Sequence, residues 1–273
     1  MKNRLKKLIA ASTLALISVS LAACSSPQSE DKKIVVGATS SPHAEILQEV
    51  VPILAEMGYT LEIREFADYV LPNMALNDKE LDANFFQHVP YLNNFNENQG
   101  TALVPVGNVH FEPLSVYEGR SSDIQNVSEG SIIAVPDDGS NEARALHLLE
   151  GLGLISVNSA AGLEATVKDI LKNPLNLEVI EVPAEQLPRI LADVDFAVVN
   201  GNFALEGGIT DKAVRGAAEL ADSENAITFT NVLVSREDNK DSKEIKALVE
   251  AVQSDSIREF INSKYQGRVV PTF

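Results

Sequence analysis

The sequence contains no tryptophan and one cysteine, and its basic residues are far outnumbered by its acidic ones. Of 273 residues, 10 are phenylalanine, 5 are tyrosine, 22 are lysine or arginine and 39 are aspartate or glutamate. A single cysteine cannot form an internal disulfide. The acidic excess argues against nucleic-acid binding, which requires a basic surface. We therefore expect an acidic protein without disulfides and without nucleic-acid partners.

The scarce aromatic residues are concentrated in one segment, "NFFQHVPYL" at 84–92. As a strand, this segment would point Phe86 and His88 to the same side, since alternate residues share a face. Tyr91 follows in the first turn of a predicted helix that Pro90 can begin, and Tyr69 lies upstream in "FADYV". These aromatic side chains would suit an apolar, polarisable group such as a thioether. The alternative is ordinary core packing with a hydrogen-bonded histidine.

The N-terminus is typical of an exported lipoprotein. Four basic residues precede an apolar run at 8–22, which is short for a membrane-spanning helix of ~20 residues. This pattern predicts a secretory signal at 1–23. The ending "LAAC" resembles a lipobox and predicts a thioether-linked lipid on Cys24. Residues 24–33 are polar and predict a flexible tether. The mature chain keeps 18 basic and 39 acidic residues, a net charge of −21.

Short apolar runs alternate with helical patterns along the rest of the chain. The alternation predicts sheets of mainly parallel strands with helices on their faces, an α/β fold. We predict strands at 34–38, 59–66, 81–87, 102–106, 111–117, 131–136, 177–182, 195–200 and 226–237. A "GN" turn is expected between the fourth and fifth strands. We predict helices at 42–58, 140–151, 162–173, 184–194 and 243–265.

The alternation occurs twice, which predicts two lobes joined by two crossings near 102–118 and 200–235. The first lobe would comprise residues 34–110 and 231–273, and the second residues 111–230. Ligands of open parallel sheets bind beyond the carboxyl ends of the strands, so the cleft between the lobes is the expected site.

Three polar residues on or just after predicted strands are candidates for this cleft. Arg144 lies in the first turn of a predicted helix capped by Ser140, where it could bind a carboxylate or phosphate. Alternatively, it is exposed and paired with Glu142 or a nearby aspartate. Asn231 lies on an apolar strand face and needs a partner, either ligand or backbone. Asn200 ends a strand, either as part of an "NG" turn or as a cleft amide.

Several segments resemble, in the same order along the chain, those of the NLPA lipoprotein family, the methionine-binding lipoproteins of ABC importers. They are "PHAEIL", "DYVLPN", "FQHVPYL", "SNEARAL", "NPLNLEVIE", "AVVN" and "VSREDNKDS". The resemblance implies a two-lobed, periplasmic-binding-protein-like fold of type II, anchored by lipid on the extracytoplasmic face of the membrane. It implies delivery of L-methionine, or a close relative, to a permease with a cytoplasmic ATPase.

The resemblance also implies a role for each candidate residue. Arg144 would hold the ligand carboxylate, and Asn200 and Asn231 would bond the amino and carboxylate groups. The aromatic wall around the ligand side chain would consist of Tyr69, Phe86, His88 and Tyr91.

Two segments depart from the family pattern, the loop "TSSPHAEIL" after the first predicted strand and the turn "NGNF", and these departures leave the ligand open. The family often has Thr and Tyr in the turn where this chain has Gly201 and Phe203 in "NGNF". Either methionine enantiomer, a methionine-containing dipeptide or another small amino acid would remain possible.

Three other classes of protein compete with the transporter interpretation. A metal-binding protein has little support, because the four histidines are scattered along the chain: His43, His88, His110 and His147. An enzyme would need a catalytic motif, and G-x-S-x-G, H-E-x-x-H and P-loop patterns are absent. A surface adhesin would have no tight small-molecule site. We therefore expect no catalytic residues, no resident metal and no cofactor.

Overall fold

The computed structural model describes residues 32–273. The predicted signal segment, Cys24 and the tether as far as residue 31 lie outside the described residues. The first strand begins at Lys32, two residues before the predicted start. Among residues 32–273, no helix is both long enough and apolar enough to span a bilayer.

Strands and helices alternate along the described chain, as the hydrophobic pattern predicts. The strands are β1 (Lys32–Ala38), β2 (Tyr59–Glu65), β3 (Ala83–His88), β4 (Leu103–Phe111), β5 (Ser115–Glu118), β6 (Ile132–Pro136), β7 (Ser156–Val157), β8 (Ile170–Lys172), β9 (Glu178–Val182), β10 (Phe196–Val199), β11 (Ala213–Ala218), β12 (Asn231–Arg236) and β13 (Val270–Pro271). The α-helices are α1 (Glu45–Glu56), α2 (Leu71–Asn77), α3 (Val89–Gln99), α4 (Gly139–Gly151), α5 (Gly201–Glu206), α6 (Glu224–Thr228), α7 (Lys243–Val252) and α8 (Asp255–Tyr265).

Two larger sheets organise these elements. One has the strand order β13-β4-β12-β3-β1-β2, and the other has the order β11-β5-β10-β6-β9. The core of the first sheet includes Phe85 of β3 and the apolar faces of α1, α7 and α8. The second sheet packs α4 on one side, with Leu146 and Leu149 fully buried.

Both sheets are mixed rather than mainly parallel. In the first sheet, β1 and β3 are parallel, but β12 is antiparallel to both of its neighbours, β3 and β4. In the second, β6 is parallel to β9 and β10, and β5 is antiparallel to β10 and β11. The chain leaves the first sheet at the end of β4 and re-enters it along β12. The outgoing and returning strands are therefore side by side and run in opposite directions.

Four local predictions were wrong. The "GN" dipeptide is not a turn but lies inside the continuous strand β4. The predicted helix at 162–173 is 3₁₀ turns followed by β8, and its first residue, Gly162, has φ 55°, outside the helical region. The predicted helix at 184–194 is a 3₁₀ segment, Ala184–Arg189, with Pro188 inside it. The predicted strand at 226–237 is divided into α6 and β12.

The start of α4 also differs from the prediction and matters for the site. Its N-cap is Asp138, whose side chain accepts a hydrogen bond from the backbone N–H of Asn141, and Ser140 lies inside the helix. Arg144 consequently lies beyond the first turn. Its guanidinium therefore has to be positioned by tertiary contacts rather than by the end of the helix.

Candidate functional site

One narrow cavity is lined by side chains that the first and second sheets position. The cavity and its mouth together contain about 330 Å³ of space that no protein atom occupies. All seven sequence-predicted ligand residues line it: Tyr69, Phe86, His88, Tyr91, Arg144, Asn200 and Asn231. Five further residues that the sequence analysis did not select also line it: Gln87, Glu112, Asn141, Gly201 and Asn202.

The aromatic residues form one continuous wall. Tyr69 stacks on Phe86 with ring centroids 5.7 Å apart and meets Tyr91 edge-on at 5.6 Å. Phe203 lies in α5, so the "NGNF" segment is the start of a helix rather than a turn, and its ring packs against Tyr69 at 4.8 Å. These distances lie within the range of favourable aromatic pairs. The wall is therefore a rigid apolar surface suited to an apolar or thioether side chain.

His88 ends β3 and is held as a neutral ring. Its Nδ1 accepts a hydrogen bond from the backbone N–H of Tyr91 at 3.2 Å, which caps α3. Its Nε2 lies 3.1 Å from Oδ1 of Asn141 and must therefore be the donor. Burial, reinforced by the positive charge of Arg144, lowers the pKa of His88 to about 3.

Neutral burial of His88 predicts a pH-dependent contribution to stability. The ordinary histidine pKa of 6.5 applies to the unfolded chain, which thus gains a proton at a pH where the folded protein does not. This contribution is complete above about pH 6.5 and is lost as the pH falls towards the folded pKa.

The unfolding free energy of the ligand-free protein should fall between pH 7 and pH 4.5. We expect this fall to be smaller by about 2–3 kcal/mol in His88→Gln than in the unmodified protein. Denaturant titrations of both proteins across this range measure the difference. Parallel pH profiles for the two proteins would contradict a neutral, buried His88.

Asn141 orients the polar side of the cavity. Its Nδ2 donates to both carboxylate oxygens of Asp138, at 2.9 and 3.1 Å. Its Oδ1 therefore faces the cavity and accepts from His88 and from Nδ2 of Asn200, the latter at 2.9 Å. Burial raises the pKa of Asp138 to about 6. The amide orientation of Asn200 is fixed by this chain of contacts.

Two buried amide atoms in the cavity wall lack a hydrogen-bond partner among the described residues. Asn200 donates through Nδ2, and its Oδ1 is unpaired. Asn202 accepts from the hydroxyl of Tyr69 at 2.5 Å through Oδ1, and its Nδ2 is unpaired. Buried polar groups are nearly always satisfied. A polar ligand that carries both a hydrogen-bond donor and an acceptor could pair with these two atoms.

Arg144 is buried in an ion pair rather than exposed, so its predicted pairing with Glu142 or an aspartate was wrong. Its Nε and Nη2 donate to the carboxylate of Glu219, at 2.9 and 2.5 Å. Nη2 also donates to the backbone oxygen of Glu112, and the guanidinium lies 4.3 Å from the ring centroid of Phe229. These contacts leave Nη1 as the nitrogen that can reach a ligand anion.

Asn231 begins β12 and faces the cavity next to two histidines. Its Oδ1 lies 3.1 Å from Nε2 of His43, so only its Nδ2 can donate to a ligand. The apolar strand face predicted around Asn231 does not extend to the start of 226–237, since Ile227 belongs to α6 and is 81% exposed. Asn231 is satisfied by a side chain and not by nearby backbone.

In the part of the chain that the structure describes, His43, His110 and Glu112 form the group that could hold a metal ion. The predicted scatter of the histidines was therefore wrong for two of them, whose rings are 5.0 Å apart. Nε2 of His110 donates to Glu112 Oε1 at 2.7 Å, and Nε2 of His43 lies 3.4 Å from the same oxygen. Hydrogen bonds account for this cluster, whereas a metal would require both Nε2 atoms to lose their protons.

Comparisons with known proteins agree along the described chain. The family model described as NlpA lipoprotein matches residues 34–273. A Bacillus subtilis protein named methionine-binding lipoprotein MetQ is 38% identical over 274 residues, covering 98% of this chain and 99% of that protein. The D-methionine-binding lipoprotein MetQ of Escherichia coli is 37% identical over 258 residues, 93% of each chain.

A solved structure extends the likeness to three dimensions. It is a nutrient-binding protein from Burkholderia cenocepacia bound to methionine, and it matches with a TM-score of 0.83 and 39% identity. The match covers 88% of this chain and 100% of that one. The predicted two-lobed α/β fold is confirmed, while the boundaries predicted for the two lobes stay a prediction.

Proposed function

This chain belongs to the NlpA lipoprotein family, and from that premise we propose that it captures methionine, or a close relative, and delivers it to an ABC importer. The observation that carries the proposal is the pairing of an unsatisfied acceptor and donor, on Asn200 and Asn202, with a buried guanidinium and an aromatic wall. A free amino acid supplies an ammonium, a carboxylate and a side chain for these three features.

The cavity favours one orientation of such a ligand. The carboxylate would accept from Nη1 of Arg144 and from the amide nitrogens of Asn202 and Asn231. The ammonium would donate to Oδ1 of Asn200. The contacts to Asn200 and Asn202 would satisfy two buried amide atoms that otherwise lack a partner. The side chain would then lie against the wall around Tyr69, where a thioether gains sulfur–aromatic contacts.

Transport would follow from closure of two lobes around the ligand. We assign residues 34–110 and 231–273 to one lobe and residues 111–230 to the other, because β4 and β12 carry the chain between the two sheets. A permease with a cytoplasmic ATPase would recognise the closed form, whose population the ligand raises. A lipid on Cys24 would keep the protein at the extracytoplasmic face of the membrane. We expect no catalytic activity.

The proposal is tested by calorimetric titration of L-methionine into the protein from Ser25 onward. The protein is first unfolded and refolded to remove any ligand that co-purifies, and its circular dichroism is compared with that of untreated protein. We expect one-to-one binding with a submicromolar Kd. Parallel titrations with D-methionine and glycyl-methionine rank the alternatives. Absence of heat and of a thermal shift with all three ligands would contradict the proposal.

A further inference from the structure

Glu112 lies in the cavity wall but has no part in the ligand orientation described so far. We infer that its carboxylate recognises the positive charge of the ligand, and that Gly201 provides the space that this carboxylate occupies. The inference rests on the proposed function and adds a specificity: the site would select ligands that carry a free amine next to the carboxylate.

The first supporting observation is how Glu112 is held. The residue is buried, and its Oε1 accepts from Nε2 of His110 at 2.7 Å. His43 approaches the same oxygen to 3.4 Å, and the backbone N–H of Asn202 also bonds to the carboxylate. The N–H of Asn202 is a donor and both imidazoles can donate through Nε2, so the surroundings fit an ionised carboxylate in a fixed position.

The second observation is the close approach of Gly201 to this carboxylate. A Cβ at position 201 would lie 2.8 Å from both Cβ and Oε2 of Glu112. Such a distance requires one of the two residues to move, and Cβ of Glu112 is tied to the backbone. Gly201 therefore permits the observed position of Glu112, and it is one of the two positions where the "NGNF" segment departs from the family pattern.

The third observation is the balance of charge around the cavity. Arg144 is already matched by Glu219. Burial lowers the pKa of His43 to about 4 and that of His110 to about 3, so neither ring is charged at neutral pH. An ionised Glu112 thus lacks a full counter-charge, and burial raises its pKa accordingly. A bound ammonium would supply that counter-charge.

The experiment compares two ligands with two proteins. The ligands are L-methionine and its deaminated analogue, which keeps the carboxylate and the thioether. We expect the unmodified protein to bind the analogue at least about 100-fold more weakly. Glu112→Gln should lose about 10- to 150-fold in affinity for methionine, the range for a hydrogen bond to a charged group. Its affinity for the analogue should stay within about threefold, as expected where no such bond is lost.

Controls separate binding from folding. Glu250→Gln changes an exposed glutamate on α7 and should bind both ligands like the unmodified protein. Gly201→Ala should weaken methionine binding by at least about tenfold, whereas Gly151→Ala, which has no atom within 4 Å of the added Cβ, should not. Thermal unfolding identifies any variant that fails to fold, and the two-ligand comparison in the unmodified protein needs no variant.

Each outcome has one interpretation. Equal affinities of the unmodified protein for both ligands, or an unchanged methionine affinity in folded Glu112→Gln, would overturn this inference alone. Unchanged methionine binding by Gly201→Ala would overturn the role of Gly201. Absence of methionine binding by the unmodified protein would overturn the proposed function, and this inference with it.

Discussion

Arg144→Ala is expected to weaken methionine binding by about 2–5 kcal/mol and to lower the free energy of unfolding by about 3–5 kcal/mol. The loss of stability arises because Glu219 stays buried when its bidentate partner is removed. The loss of binding would follow from the role proposed for Nη1 of Arg144, which is to donate to the ligand carboxylate. Truncating one partner of a buried charge pair costs about 2–5 kcal/mol of binding free energy.

A double variant separates these two effects. Arg144→Met combined with Glu219→Gln removes both charges. Glu219 accepts a hydrogen bond from the backbone N–H of Leu114 at 2.9 Å, and the glutamine keeps an oxygen that can accept it. Replacing a buried ion pair with uncharged groups is often close to neutral. We expect the double variant to regain most of the stability of the unmodified protein without regaining binding. Urea denaturation and calorimetric titration measure the two quantities.

The result that would contradict this assignment is specific. If the double variant binds methionine as the unmodified protein does, Arg144 serves stability alone. If Arg144→Ala folds with unchanged stability, the ion pair with Glu219 is not formed in the native protein.

Phe85→Ala and Phe86→Ala are expected to produce different defects, although the residues are neighbours in β3. Phe85 is fully buried and packs edge-on against His43 at 4.7 Å and against His110 at 5.3 Å. Its truncation leaves a core cavity and should cost about 3–5 kcal/mol of stability. Phe86 faces the ligand cavity and stacks on Tyr69. Its truncation should cost less stability.

For Phe86→Ala we expect methionine affinity to fall by about 1–2 kcal/mol, from lost apolar and sulfur–aromatic contacts. Thermal unfolding without ligand and calorimetric titration below the melting temperature measure the two defects. A Phe85→Ala protein that is stable but does not bind, or a Phe86→Ala protein that binds normally, would show that the wall is assigned to the wrong face of β3.

Much of the fold follows from local pattern, and the failures have physical causes. The buried runs that become β6 and β10 are short and mainly apolar. At 162–173 the helical spacing of Leu163 and Leu171 is present but is not used, since both side chains are exposed. At 226–237 the alternation of the strand extends backwards into α6 by coincidence. A local sequence pattern does not show which face of a segment is buried, because burial there depends on contacts with distant parts of the chain.

For most contacts in the site, the sequence analysis found one of the two residues and missed its partner. Arg144 and Asn200 were found because each lies near the end of a predicted strand, and Asn231 because it is an amide on an apolar strand face. Tyr69 and Tyr91 were found because aromatic residues are rare in the chain. Their partners were missed because the contacts join distant positions. Glu219 lies 75 residues from Arg144, and no local signal marks it. Asn141 and Asn202 had weak signals, as amides within "SNEAR" and "NGNF".

The 2.8 Å approach between a Cβ at position 201 and Glu112 has a consequence for the order in which these two positions can evolve. A larger residue at 201 is tolerated only after Glu112 has been replaced by a smaller or more flexible side chain. The reverse order passes through an intermediate with a displaced carboxylate. The two positions therefore form an epistatic pair, and a library that varies them one at a time would reject combinations that are functional when both change together.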